Sequence, residues 1–366
     1  MRVTAVEARP LRSLDDVRIE LEPGIVSLVG PNGIGKTNLL EALYFGLTGR
    51  SFRTADRRDL IPFGASLARA EVVVDDEDGT RRRLLASVSR AEGRRHLLDG
   101  SPADPATLAR HRPPVAVFSP DRLTLVKGPP GERRAHLDLF VAARWPSRSE
   151  LRQRYGQALA QRNALLARVA AGHTAPAELD AWDATLAAAA APLIAARAEA
   201  VAELADLFAA TAAELGLEGA ASIAYAPRAP ADDAAELREG LAERREADLK
   251  LGRCSWGPHL DEVKIALKGR ALRRYGSQGQ QRAALLALLF AERDALLEAR
   301  RVAPLLLLDD VMSELDPDRR ERLAERLAHG GQALVTAADE ESVPSRAMDG
   351  VIRMSTLLTP SHAAAA

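Results

Sequence analysis

The sequence predicts an α/β fold divided by a large helical insertion. Three observations carry that expectation. A short apolar run, IVSLVG (25–30), leads into a glycine-rich turn and a helix-patterned segment, the order of a buried strand followed by a helix. Between about 126 and 254 the chain turns Ala-, Leu-, Arg- and Glu-rich with helical spacing. After 255, short apolar runs and helical segments alternate again. At 366 residues the chain is long for one compact unit. The expected division is an N-terminal α/β part (1–125), a helical arm (126–254), a C-terminal α/β part (255–360) and a disordered tail (361–366).

Each element has its local reason. VTAVEARPL and VRIELEPG read as strands, the second ending on a Pro-Gly stop. LLEALYFGLTG (39–49) has helical spacing and a glycine stop. EVVVDDEDGTRRRLLASVSR (71–90) reads as a hairpin turning at DEDG, and RRHLLDG extends that sheet. LRQRYGQALAQRNALLARVAAG, ELDAWDATLAAAAAPLIAARAEAVAELADLFAATAAELG and AAELREGLAERREADLKLG are helical, with breaks expected at GHTAP and at Pro192. No heptad register persists, so a compact arm is expected rather than a long coiled coil. DEVKIAL, APLLLLDDV and QALVTAAD are the later strands. AALLALLFAERDALLEAR and DPDRRERLAERLAHG are the later helices.

Hydrophobic residues make up 47% of the chain, enough for a core, and charged residues 28%. The net charge of -1 calls for neither nucleic acid nor membrane, though a local patch would suffice for DNA. The excess of arginine over lysine and the abundant alanine read as compositional bias, so single arginine runs carry little. Cys254 is the only cysteine, which excludes an intrachain disulfide. The N-terminus has no apolar signal-peptide core, and ATLAAAAAPLIAA (184–196) is too short to span a bilayer. A cytoplasmic protein is expected.

Three segments carry chemistry. Gly30, Pro31, Asn32, Gly33, Ile34, Gly35, Lys36 and Thr37 form GPNGIGKT, a phosphate-binding loop in its required place between a buried strand and a helix. The glycines let backbone N–H groups face phosphate, and the helix N-terminus favours the anion. Lys36 is expected to reach the outer phosphates of ATP and Thr37 to bind Mg²⁺. LLLLDD (305–310) ends a strand in acid: Asp309 is the expected Mg²⁺ partner, and Asp310 the residue that orients or activates water.

The third segment is YGSQGQQR, at the start of a helix. Ser277 suits an N-cap, Gly279 allows close approach, and Gln280 and Gln281 add uncharged donors. The bland reading is an ordinary capped helix. The functional one is a second wall for a phosphate. Since one loop already serves the phosphates, that wall would belong to the site of a second copy of the chain.

GPNGIGKT, SQGQQ and LLLLDDVMSELD together resemble the Walker A, signature and Walker B motifs of ABC-type ATPases. More closely, the chain resembles the RecF family of bacterial recombinational DNA-repair ATPases. NLLEALYFGLTGRSFRT (38–54), FSPDRLTLVKGPPGERRAHLD (118–138) and GPHLDEV (257–263) add to that match in order. The resemblance implies an ABC-type ATPase head, like those of SMC and Rad50 proteins, with an inserted short arm. It implies weak ATP hydrolysis in an ATP-dependent homodimer, where Ser277, Gln278, Gly279 and Gln280 of one copy cap ATP held by the other. Ser313 and Asp316 match the D-loop. DNA at gaps or single-strand/duplex junctions, RecO and RecR, and through them RecA loading, are the implied partners. Asp310 departs from the Glu common in transporter ATPases, which fits slow turnover. No switch histidine follows the next strand, Thr336 lying near its place, and FSPDRL offers no Q-loop glutamine. The alternatives are a transporter-type ATPase subunit and a vestigial phosphate loop.

Other residues have plainer readings. His259, Trp182 and Trp256 are expected to pack, and His136 with Asp138 lacks the further ligands of a metal site. Arg53 reads equally as a solvated arginine or as one approaching nucleotide or DNA.

Overall fold

The computed structural model describes residues 1–357 except 55, 77, 232, 302, 313, 314, 316, 329 and 330. The expected tail, 361–366, lies outside the described residues. The chain divides into two compact units, Met1–Arg122 with Leu296–Ala366, and Leu123–Ala295.

The first unit holds two sheets. One is parallel, in the order Val351–Arg353, Ile25–Val29, Ala333–Ala337, Leu305–Leu308, Val115–Phe118. Its three central strands are buried at every position, which explains why they read as unbroken apolar runs rather than alternating ones. Register pairs Val29 with Ala337, Val335 with Leu308, and Leu308 with Phe118. The chain therefore leaves four neighbouring strands at one edge of the sheet, where open α/β sheets place ligands.

The other sheet is antiparallel, in the order Val17–Glu20, Arg2–Ala8, Leu67–Asp75, Arg81–Ser89, Gly93–Leu98, Ser101–Pro102. Leu67–Asp75 alternates buried and less buried positions along its length, the mark of a sheet with one covered face. The helix Lys36–Thr48 supplies the cover: Leu39, Leu40, Leu43, Phe45 and Leu47 share one core with Val72, Val74, Leu84 and Ala86. Each such side chain contributes about 1.5–3 kcal/mol on burial.

The second unit carries the helices Pro130–Arg144, Leu151–Ala170, Leu179–Glu214, Ala234–Glu243 and Arg245–Leu251. It also has an antiparallel sheet ordered Arg270–Ala271, Glu262–Leu267, Ala221–Ala226. Ala221–Ala226 is a strand the sequence pattern missed inside the helical region. It pairs with Glu262–Leu267 over six positions, and this ties the segment after 254 to the arm. The compact unit accordingly runs on to Ala295, beyond the boundary expected at 254. Buried ion pairs reinforce the tie. Arg197 binds Asp138 (2.7 and 2.9 Å) and Asp261 (3.1 Å).

Pro192 does not break its helix, contrary to expectation: Leu179–Glu214 is continuous. Proline removes one helix hydrogen bond, but alanine-rich turns on both sides favour the helix. Buried Leu186, Leu193, Ala196, Ala200, Leu204 and Phe208 hold it on the unit. By length and composition this helix could cross a membrane, yet half of its most apolar stretch is buried in the protein.

Candidate nucleotide-binding site

The phosphate loop takes the shape its glycines permit. Gly33 and Gly35 have φ of 85° and 106°, left-handed values that residues with a Cβ adopt at a cost. Gly30 N–H donates to Ala337 O (3.3 Å), which stitches the loop's start to the neighbouring strand. Lys36 follows at the first helical position and is only 7% exposed. Its ammonium donates to the carbonyl oxygens of Gly30 and Pro31, the latter at 3.2 Å, and lies 3.5 Å from Asn32 Oδ1. Burial lowers its pKa, against the opposing pull of Asp310 and Asp309. A partly desolvated cation beside phosphate-facing backbone is suited to an anion.

The strand Leu305–Leu308 delivers Asp309 to the same place. Asp309 N–H donates to Phe118 O (2.8 Å), and Thr37 Oγ1 donates to both Asp309 carboxylate oxygens (2.9 Å each). Asp309 is 6% exposed. Burial raises its pKa, partly offset by the hydroxyls of Thr37 and Thr336, while the nearby Asp310 raises it further.

Thr336 is the residue whose role the sequence left open. It is fully buried and joins the two acids: Oγ1 donates to Asp309 Oδ1 (3.0 Å) and accepts from Asp310 N–H (2.8 Å). Asp310 has φ of 52°, an uncommon left-handed value for a residue with a side chain. Such strain, of order 1–3 kcal/mol, clusters at functional sites. Ser119, one residue beyond the strand that receives Asp309 N–H, has a buried hydroxyl with no hydrogen-bond partner.

Sequence reasoning also missed Glu41, a fully buried acid on the loop's own helix. Arg12 grips it with two bonds (2.9 and 3.1 Å), Ser51 donates to it, and Arg53 lies 3.5 Å away. Arg53 also donates to Asn38 Oδ1 (3.1 Å), and its charge acts on Asp309. The only sequence signal for Glu41 was an acid at an apolar helical position, in LLEAL.

In the second unit, the helix Gln278–Arg300 starts with a reciprocal cap. Gln280 N–H donates to Ser277 Oγ (3.2 Å), and Ser277 N–H to Gln280 Oε1 (2.9 Å). Ser277 and Gln278 are exposed, and Gly279 and Gln280 half-buried. Gln281 is not an available donor as the sequence suggested: it is buried and donates to Leu272 O (2.9 Å). Ser313 and Asp316, the D-loop residues, lie outside the described residues.

Several plainer readings hold. His259 bridges Tyr155 Oη (2.6 Å) and Cys254 O (3.1 Å), and Trp256 lies in the arm's core. His136 pairs with Glu292 (2.7 Å), and Asp138 with Arg197.

A parallel sheet whose strand ends carry a phosphate loop and a threonine-bound acid pair defines a P-loop ATPase head of the ABC type. Residues 2–357 match the family described as RecF/RecN/SMC N terminal domain. The DNA replication and repair protein RecF of Streptomyces avermitilis is 39% identical over 365 residues, covering 94% of this chain and 95% of the relative. The RecF of Myxococcus xanthus is 38% identical, with 96% and 94% covered. A solved recombination mediator protein RecF with ATP superposes with a TM-score of 0.86 at 26% identity, covering 94% of this chain and 93% of the other. An Smc head bound to the C-winged helix domain of ScpA shares the fold, with a TM-score of 0.58 at 17% identity and 96% and 94% covered. The chain belongs to the RecF family of DNA replication and repair proteins. By family and fold it is an ATPase. These relatives do not favour the transporter-type reading.

Proposed function

We propose that the protein is a nucleotide-gated DNA clamp acting at gapped or junction DNA, with RecO and RecR as partners in RecA loading. The observation that carries the nucleotide part is the Thr37–Asp309–Thr336–Asp310 chain of hydrogen bonds beside the phosphate loop. Its oxygens suit a hard cation such as Mg²⁺. Thr37 and Asp309 would hold that ion, which lends positive charge to the phosphates when bound. Lys36 neutralises the outer phosphates from within the loop. Asp310, its backbone fixed by Thr336, orients the attacking water and accepts its proton.

The exposed start of the helix at Ser277 supports the dimer reading. In it, Ser277, Gln278, Gly279 and Gln280 of one copy face the ATP of the other. ATP then favours the closed dimer because it makes contacts available only there. Loss of the γ-phosphate removes them. DNA is held through its phosphates, so binding depends on salt.

Fluorescence anisotropy of gapped duplex DNA with ATP, ADP or no nucleotide tests this. Binding that needs ATP and Mg²⁺ and weakens steeply with salt is the expected result. DNA affinity indifferent to nucleotide would contradict it.

A further inference from the structure

The first unit contains a second concentration of positive charge, at the other end of the phosphate-loop helix. Thirteen residues at 1.5 Å each place it about 20 Å from the loop. Gly49 ends that helix with φ of 64°, and the His96 ring lies where any Cβ would fall, 1.9 Å from that position. Arg50 follows directly. Arg57 is close enough to Arg94 and Arg50 for their charges to lower its pKa, after burial, the larger cause. Burial, then Arg94 and Arg57, do the same to His96. Arg112 is depressed mainly by burial, with Tyr44 opposing and Arg50 adding to the shift, and its Nη1 donates to Pro113 O (3.3 Å).

No carboxylate pairs with Arg50, Arg57, Arg94 or Arg112 among the described residues. Three donors or acceptors in the group are moreover enclosed without any hydrogen-bond partner among the described residues: Arg57 Nε, His96 Nδ1 and Arg112 Nε. Native proteins leave few such atoms. Other unpartnered atoms differ in kind. Arg69, Arg82 and Arg162 each lack one bond yet hold a carboxylate through another atom, on Glu71, on Asp99, and on Asp183 and Asp248. Only around His96 do unpartnered atoms and uncompensated like charges coincide among the described residues. Such a group is stable when an anion supplies both the charge and the missing acceptors. Guanidinium forks suit the oxygens of phosphate.

The geometry points to a phosphate-binding site formed by Arg57, Arg94 and His96, with Arg50 and Arg112 beside it, distinct from the nucleotide loop. Resting on the DNA reading above, its ligand is a backbone phosphate of nucleic acid; free phosphate is the other source of the same chemistry.

Arg57→Gln and Arg94→Gln test it, with the full chain, ATP and Mg²⁺. Titrations of duplex DNA across a salt series should show weaker binding, and a plot of log affinity against log salt shallower by about one for each variant. Melting temperature without ligand should stay the same or rise, because the substitutions relieve repulsion; a purely structural role would lower it. A parallel arm follows the ³¹P resonance of inorganic phosphate. If DNA binding is unchanged but the wild type broadens that resonance and the variants do not, the site stands with free phosphate as its ligand. If neither arm responds, the site is refuted. Should the wild type bind no DNA, the clamp reading fails and the phosphate arm alone decides the site.

Discussion

Apart from Glu41, which Arg12 grips, the head leaves buried charge open where the arm pairs it. In the arm, Arg162 is fully buried, as are Asp183 and Asp248, and it reaches them at 2.6 and 2.7 Å. Arg197 is likewise held by Asp138 and Asp261. Those charges are satisfied within the fold. In the head, Lys36 is desolvated among carbonyls, Asp309 sits in an environment that resists its ionisation, and Arg57 has no carboxylate partner among the described residues. Closed networks fix a structure, whereas open ones are completed by a ligand. The contrast therefore separates residues that hold the arm together from those that bind.

The largest expected effect sharpens that contrast from the arm's side. Asp248→Ala takes one of two buried carboxylates from Arg162 and the acceptor from Ser255, and should cost about 3–5 kcal/mol, read by urea unfolding. A comparable loss in Arg57→Gln would break the comparison. Next, Lys36→Met should weaken ATP binding about 10- to 100-fold, the worth of a charged hydrogen bond of about 1.5–3 kcal/mol. Calorimetric titration checks this, and unfolding should show little change.

Ser277→Ala removes a helix cap and should cost about 1 kcal/mol of stability, seen as a lower urea midpoint. The last prediction concerns pH. Because burial raises the pKa of Asp309, the folded state binds its proton more readily than the unfolded chain. Its contribution to stability is therefore unfavourable above that raised value and is relieved as pH falls through it. Mg²⁺ binding runs the other way, since it needs the carboxylate, and should weaken over the same window. Asp309→Asn should be at least as stable at neutral pH, and its Mg²⁺ affinity low and flat with pH. An unchanged pH profile in that variant would remove Asp309 from the metal site.

What could be read from sequence follows the range of the interactions. The phosphate loop, its helix and the LLLLDD strand are local patterns, and each lies where its residues predicted. Pro192 misled because its cost is local, while the packing that overrides it comes from Leu186, Leu193 and Phe208 across the arm. Ala221–Ala226 was hidden because a short alanine-bearing strand is defined by its partner, Glu262–Leu267. Thr336 and Glu41 became legible only when strand register and helix packing brought Asp309 and Arg12 to them. The cluster around His96 draws on four separated stretches of chain, and no spacing rule joins them.

The central claim is that ATP closes two copies of this chain, with Ser277 of one serving the nucleotide of the other. Sedimentation velocity of the wild type, Ser277→Arg and Lys36→Met, with ATP and Mg²⁺, ADP or no nucleotide, tests it most directly. The account predicts a dimer for the wild type with ATP alone, and monomers for both variants, Ser277→Arg still binding ATP. A wild type that stays monomeric with ATP, or a Ser277→Arg chain that dimerises normally, would contradict it.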